Sequence, residues 1–132
     1  MIALDTNILV RFLVDDEPRQ AGMARELLEG LIGEQSGFVC REVIVELVWV
    51  LERTYRFSRE RIAGVLDALI ATEELQIEAS DDVARAALRY GRGGAGFSDL
   101  MIAAAAQRAG AQALYTFDQK AAQIPNATLL TT

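Results

Sequence analysis

Short apolar runs recur between longer stretches of helical spacing, and they constrain this chain more than any other feature. Met1-Ile2-Ala3-Leu4 runs into Asp5, Phe38-Val39-Cys40 stops before Arg41, and Ala113-Leu114-Tyr115-Thr116-Phe117 runs into Asp118. A strand with one wet face alternates polar and apolar residues, so a contiguous apolar run of this length reads as a strand buried on both faces. Residues 75–78 (Leu-Gln-Ile-Glu) do alternate and read as a further strand, and residues 128–130 (Thr-Leu-Leu) read as a last edge strand. Parallel neighbours need a long crossover, usually a helix, so strands alternating with helices point to an α/β domain with helices on both faces of a parallel sheet.

The helices are legible from their spacing and their ends. Residues 7–14 continue from the first strand as a helix or helical turn, and Asp15-Asp16-Glu17-Pro18 marks a helix start. Ala21, Ala24, Leu27, Leu28, Leu31 and Ile32 share a stripe that predicts a helix over 18–32, broken by Gly33 through Gly37. A largely buried helix follows over 42–55. Ser58 reads as the N-cap of a helix reaching about Ile70, and Ser80 with Asp81 and Asp82 as the cap of one reaching about Tyr90. Gly91, Gly93, Gly94 and Gly96 make a flexible loop, Ser98 opens an Ala-rich helix that stops at Gly110, and a short helix follows Asp118. With no linker or repeat, the 132 residues read as a single domain, 1–132.

Composition narrows the chemistry. The chain has no histidine and one cysteine, Cys40. That excludes Ser-His-Asp and Cys-His catalysis, imidazole zinc sites and disulfide scaffolds. If the protein is an enzyme, carboxylates do the work. The lone thiol suits a reducing cytosol. No basic n-region precedes the first apolar run, and no apolar stretch approaches a membrane span, so a cytoplasmic protein is expected. The net charge of −6 argues mildly against a passive nucleic-acid binder. It permits an enzyme whose cations reverse the local field. Lys120 is the one lysine; the other basic residues are arginines, which suit bidentate phosphate contacts. Arg11 and Arg41, near strand ends, are the better substrate contacts. Arg53, Arg56, Arg59 and Arg61 surround a helix junction and read as solvated, the alternative being contact with phosphates or a partner.

Four acids stand out. Asp5 and Asp118 each end a strand, where ligands bind in open parallel sheets; each could equally be a helix N-cap. Glu46 lies among Val43, Val45, Leu47, Trp49 and Val50, so it must reach an edge, find a partner or bind a cation. The alternative is a narrow exposed stripe shared with Glu42. Asp99 falls in the first turn of its helix, where the macrodipole favours negative charge. Gathered together, four carboxylates would raise each other's pKa, and a bound Mg²⁺ or Mn²⁺ would offset that cost. Such a site activates water for in-line attack on a phosphodiester.

At these residues the chain resembles the PIN-domain nucleases, and within them the VapC-type ribonuclease toxins. The resemblance is carried by Asp5-Thr6-Asn7 after the first strand, Glu46 in Glu46-Leu47-Val48-Trp49-Val50-Leu51, Phe97-Ser98-Asp99 opening a helix, and Leu114-Tyr115-Thr116-Phe117-Asp118. It extends from Met1 to about Leu130. It implies a three-layer α/β/α sandwich with a mainly parallel sheet, and a metal-dependent endoribonuclease with Mg²⁺ or Mn²⁺ held by Asp5, Glu46, Asp99 and Asp118. Thr6, Asn7, Ser98 and Thr116 would orient those acids or the substrate. It further implies an RNA substrate, a small antitoxin partner that holds the toxin inactive, and a homodimer. Many relatives carry an Asp where this chain has Gly96. Two alternatives stand beside this reading. One is a degenerate PIN-like module that binds without cleaving. The other is a haloacid-dehalogenase-like phosphatase, whose second Asp would fall where Asn7 stands.

Overall fold

The computed structural model describes residues 1–32 and 35–132. Gly33 and Glu34, part of the break expected after the second helix, lie outside the described residues. Among the described residues, five short strands and six α-helices follow in order: β1 (Ile2–Ala3), α1 (Thr6–Leu13), α2 (Pro18–Glu29), β2 (Gly37–Val39), α3 (Arg41–Arg53), α4 (Arg59–Ala71), β3 (Leu75–Ile77), α5 (Ser80–Gly91), α6 (Phe97–Arg108), β4 (Leu114–Thr116) and β5 (Ala127–Leu129). The short helix after Asp118 is a 3-10 turn at Ala121–Gln123.

Every strand pairing among the described residues is parallel. β2 lies between β1 and β3, with Ile2 opposite Gly37 and Val39 opposite Ile77. β4 and β5 form a second ladder with Tyr115 opposite Thr128. Parallel register puts the carboxyl ends of β1, β2 and β3 at one edge. From that edge the chain enters α1 directly after β1 and α3 directly after β2. The core that supports the edge joins Leu4, Val39 and Ile77 at the strand ends to Leu9, Leu47, Leu51, Ile62, Leu66 and Tyr90 on the helices. Gly37 lets leucine side chains pack closely on β2: a Cβ there would stand 2.8 Å from Leu4 Cδ1 and 3.0 Å from Leu31 Cδ1, and those side chains would have to shift.

Some boundaries differ from the sequence expectation, each for a local reason. α2 stops at Glu29, not Ile32, because Gly30 takes over the helix end and donates to Glu26 O at 3.1 Å. Leu31 then turns into the core while Ile32 stays 73% exposed. Ser80 is not a cap. It is the first residue of α5, preceded by Ala79 in the left-handed region (φ 54°), and no side chain caps that helix. Asp82, expected near the cap, is instead buried and bonded to Arg108 Nε at 2.5 Å and Arg85 Nη2 at 2.7 Å. Gly91 belongs to α5, and Gly96, not Ser98, is the N-cap of α6.

Candidate active site

Asp5 leaves β1 and becomes the N-cap of α1, accepting from Thr6 N at 2.7 Å through Oδ1. The cap and the functional role are compatible, because the bond uses one of the two carboxylate oxygens. Thr6, the first residue of α1, is 3% exposed. Its hydroxyl donates to Oε1 of Glu46 on α3. Glu46 thus both reaches solvent and finds a partner. Glu42 is exposed as well, one turn earlier.

Asp99 stands in the first turn of α6 and is half-buried. A Cβ added at Gly96 would lie 3.5 Å from Asp99 Oδ2, so the carboxylate sits over its own helix entrance. Burial pushes the Asp99 carboxyl above the usual carboxylate range, and the nearby charge of Asp118 pushes it further. Asp118 follows β4 and is exposed. Its Oδ1 accepts from Ala121 N at 2.8 Å, and its own N–H donates to the Thr116 hydroxyl at 3.0 Å.

The acids therefore stand in two linked sets. Asp5 and Glu46 are joined through Thr6, and Asp99 is coupled to Asp118. A cleft of about 580 Å³ between α3 and α6 brings Glu46 together with Ser98, Arg41, Trp49 and Ile102. Arg41 donates from Nη2 to Met101 O at 3.1 Å, which ties the start of α3 to α6. Arg11 is committed elsewhere, to Gln20 Oε1 at 2.7 Å, Asp16 Oδ1 at 3.3 Å and the Tyr55 hydroxyl at 3.4 Å. Asn7 is exposed and shares a cleft with Arg11 between α1 and α2.

The donor set fits a hard divalent cation chemically. All four groups offer carboxylate oxygens, the ligands Mg²⁺ and Mn²⁺ take, and a cation would offset the repulsion raising Asp99. Among the described residues, no three such side chains stand close enough to hold an ion as placed.

Arg59 is not solvated with its neighbours at the helix junction. It is half-buried and donates to Tyr90 O at 3.2 Å, Ala95 O at 3.0 Å and Gly94 O at 3.1 Å. Its position in the first turn of α4, shared with Arg61, does not single it out. A cation in the first turn of a helix opposes the macrodipole and asks for compensation elsewhere.

Residues 2–127 match the family model described as PIN domain. The chain is similar to the VapC ribonuclease of Aquifex aeolicus (strain VF5), at 28% identity over 120 residues, which covers 91% of this chain and 89% of that relative.

Proposed function

The chain belongs to the PIN-domain family, and from that premise we propose that it is an endoribonuclease, the toxin of a toxin–antitoxin pair, using Mg²⁺ or Mn²⁺ held by Asp5, Glu46, Asp99 and Asp118. One observation carries the reading. Acids delivered by four separate segments, at the ends of β1 and β4 and on α3 and α6, are linked in pairs, and the charge of Asp118 is felt at Asp99. A half-buried carboxylate facing a like charge, as Asp99 faces Asp118, costs stability unless a cation offsets it. The likeness to a VapC ribonuclease supports RNA as the substrate.

The side chains divide the work as follows. Thr6 fixes one oxygen of Glu46 through its hydroxyl and one of Asp5 through its amide. The Ala121 amide fixes one oxygen of Asp118. Each bond leaves the second carboxylate oxygen as an acceptor. A divalent cation, when bound, supplies water activation and stabilises the charge of the phosphodiester under attack. Arg41, beside Glu46 and Ser98 in the cleft, presents guanidinium N–H groups to a phosphate.

The same reading gives the protein a small antitoxin as partner, a homodimeric state and a cytoplasmic location. Among the described residues, no helix is long and apolar enough to cross a membrane. The binding-module alternative draws on the acids standing in pairs and not as a closed group. RNA cleavage tests both. Cleavage should require Mg²⁺ or Mn²⁺ and vanish in Asp5→Asn. Undiminished cleavage in excess EDTA would refute the metal mechanism, and RNA binding without cleavage in either metal would establish the binding module.

A further inference from the structure

We propose that Arg59 is a positioning residue for Asp99, its forked guanidinium holding the loop that launches α6 and so fixing where the acid stands. The inference rests on the reading of Asp99 as a catalytic acid given above.

The loop needs an external hold. Gly93 and Gly94 lie at φ +96° and +92°, a region L side chains rarely adopt. Glycines gain this freedom at an entropic cost on ordering. Gly96, the N-cap of α6, has no side chain with which to cap the helix. The fixed point comes from α4. Arg59 Nη1 reaches the carbonyls of Tyr90 and Ala95, one on either side of the loop, and Nη2 reaches that of Gly94 between them. Hydrogen bonds from a charged donor are roughly twice as strong as neutral ones, and the planar guanidinium fixes their directions.

The fork is itself anchored. The guanidinium carbon lies 4.5 Å from the centroid of the Tyr90 ring. Tyr90 is fully buried, and its hydroxyl donates to Glu52 of α3. The Tyr90 ring packs edge-on to Phe97, with centroids 5.9 Å apart and an interplanar angle of 84°. Phe97 is the first residue of α6, so the same assembly grips the loop and the helix that carries Asp99. Arg59 does not touch the acid; it acts through the backbone between Gly94 and Gly96. A displacement of about 1 Å in a reacting group is enough to cost about a hundredfold in rate.

The test compares Arg59→Met, Arg59→Lys and Ile62→Val in the full chain. Ile62 lies on the same helix and is fully buried, so Ile62→Val lowers stability while leaving the three bonds from Arg59 to the loop carbonyls in place. Amide exchange is read in metal-free protein at Gly93 and Leu100, which donate to Tyr90 O and Gly96 O at 3.1 Å each. Cleavage kinetics with Mn²⁺ are read in parallel. Arg59→Met should accelerate exchange at both amides about tenfold or more and lower kcat by about ten- to a hundredfold, with KM within about twofold. Arg59→Lys, which keeps the charge but not the fork, should fall between. Ile62→Val should keep wild-type kcat. If Arg59→Met does not fold, Arg59→Lys against Ile62→Val decides the same question. Wild-type exchange and kcat in the Arg59 variants would overturn the proposal, as would an equal loss of kcat in Ile62→Val. A wild-type protein that cleaves no RNA would refute the nuclease reading, while the exchange measurement would still decide for or against Arg59.

Discussion

Thr6→Val isolates one bond at the centre of the site. Valine keeps the volume and the β-branch of threonine, and the backbone amide still donates to Asp5 Oδ1. What disappears is the hydroxyl that holds Glu46. A hydrogen bond to a charged group is worth about 1.5–3 kcal/mol, but Glu46 is exposed and its freed carboxylate returns to water, so the net loss is about 1 kcal/mol. Unfolding entropy of about 2.1 cal/mol/K per residue over 132 residues converts that into a fall in Tm of about 4 °C. The effect on rate is larger in proportion. Unheld, Glu46 regains side-chain freedom worth up to about 1.5–2 kcal/mol, which must be given up again in each turnover. That is about ten- to thirtyfold in kcat. Thr6→Ser separates the two effects. It keeps the hydroxyl and loses a buried methyl, so it should melt early yet cleave at close to the wild-type rate. Thermal melts and single-turnover RNA cleavage measure both. Cleavage by Thr6→Val within twofold of wild type, or an equal loss in Thr6→Ser, would refute the assignment of Thr6 to Glu46.

The remaining predictions concern pH. Burial first, and then the hydrogen bond to Glu52, push the Tyr90 phenol well above its usual 10. The folded state therefore holds that proton more tightly than the unfolded chain, and the stability gained is intact below pH 10 and lost as pH rises beyond it. Tyr90→Phe should remove this alkaline limb, and melts from pH 8 upward that decline equally in both proteins would contradict it. Asp82 shifts the other way: hydrogen bonding to Arg108 is the largest cause, opposed by burial and aided by Arg85, and the carboxyl sits below its ordinary 3.8. Its contribution is present above that value and is lost as pH falls through the lowered one. Asp82→Asn should thus be less stable than wild type at pH 7, with the gap closing below pH 3.8; a gap of constant size would show that the ion pairs contribute nothing.

Local chemistry was legible in the sequence and long-range partnership was not. Ser58 caps α4 as read, accepting from Arg61 N at 3.1 Å, and Pro18 opens α2, because caps and first-turn prolines act within a few residues. The same logic misplaced Ser80. Nothing nearby reveals that Asp82 will find Arg108 on another helix, and once Asp82 turns inward the entrance to α5 is left to the backbone of Ala79. The site shows the same division. Asp5 and Asp118 were visible as strand ends, and Asp99 as a helix start. That Thr6 would hold Glu46 across 40 positions depends on how α1 meets α3. Arg59 looked like one cation among several, since its acceptors are carbonyls and carbonyls leave no mark in a sequence.

The placement of Asp99 follows from how weakly its helix is held by apolar contact. α6 buries Phe97, Leu100 and Met101, all in its first half. Beyond Ile102 it continues as four alanines, whose small side chains pack closely but give little purchase. Arginines hold both ends instead. At the entrance, Arg59 grips the carbonyls of the loop. At the exit, Arg108 of α6 meets the buried Asp82 of α5 through Nε at 2.5 Å and Nη2 at 2.8 Å. Charge-assisted hydrogen bonds are directional, whereas apolar burial tolerates sliding along a helix axis. A helix pinned at both ends keeps Asp99 in register beside Asp118 despite their repulsion. The repulsion between Asp99 and Asp118 is thus opposed by bonds made at the two ends of α6, away from the Asp99 carboxylate itself.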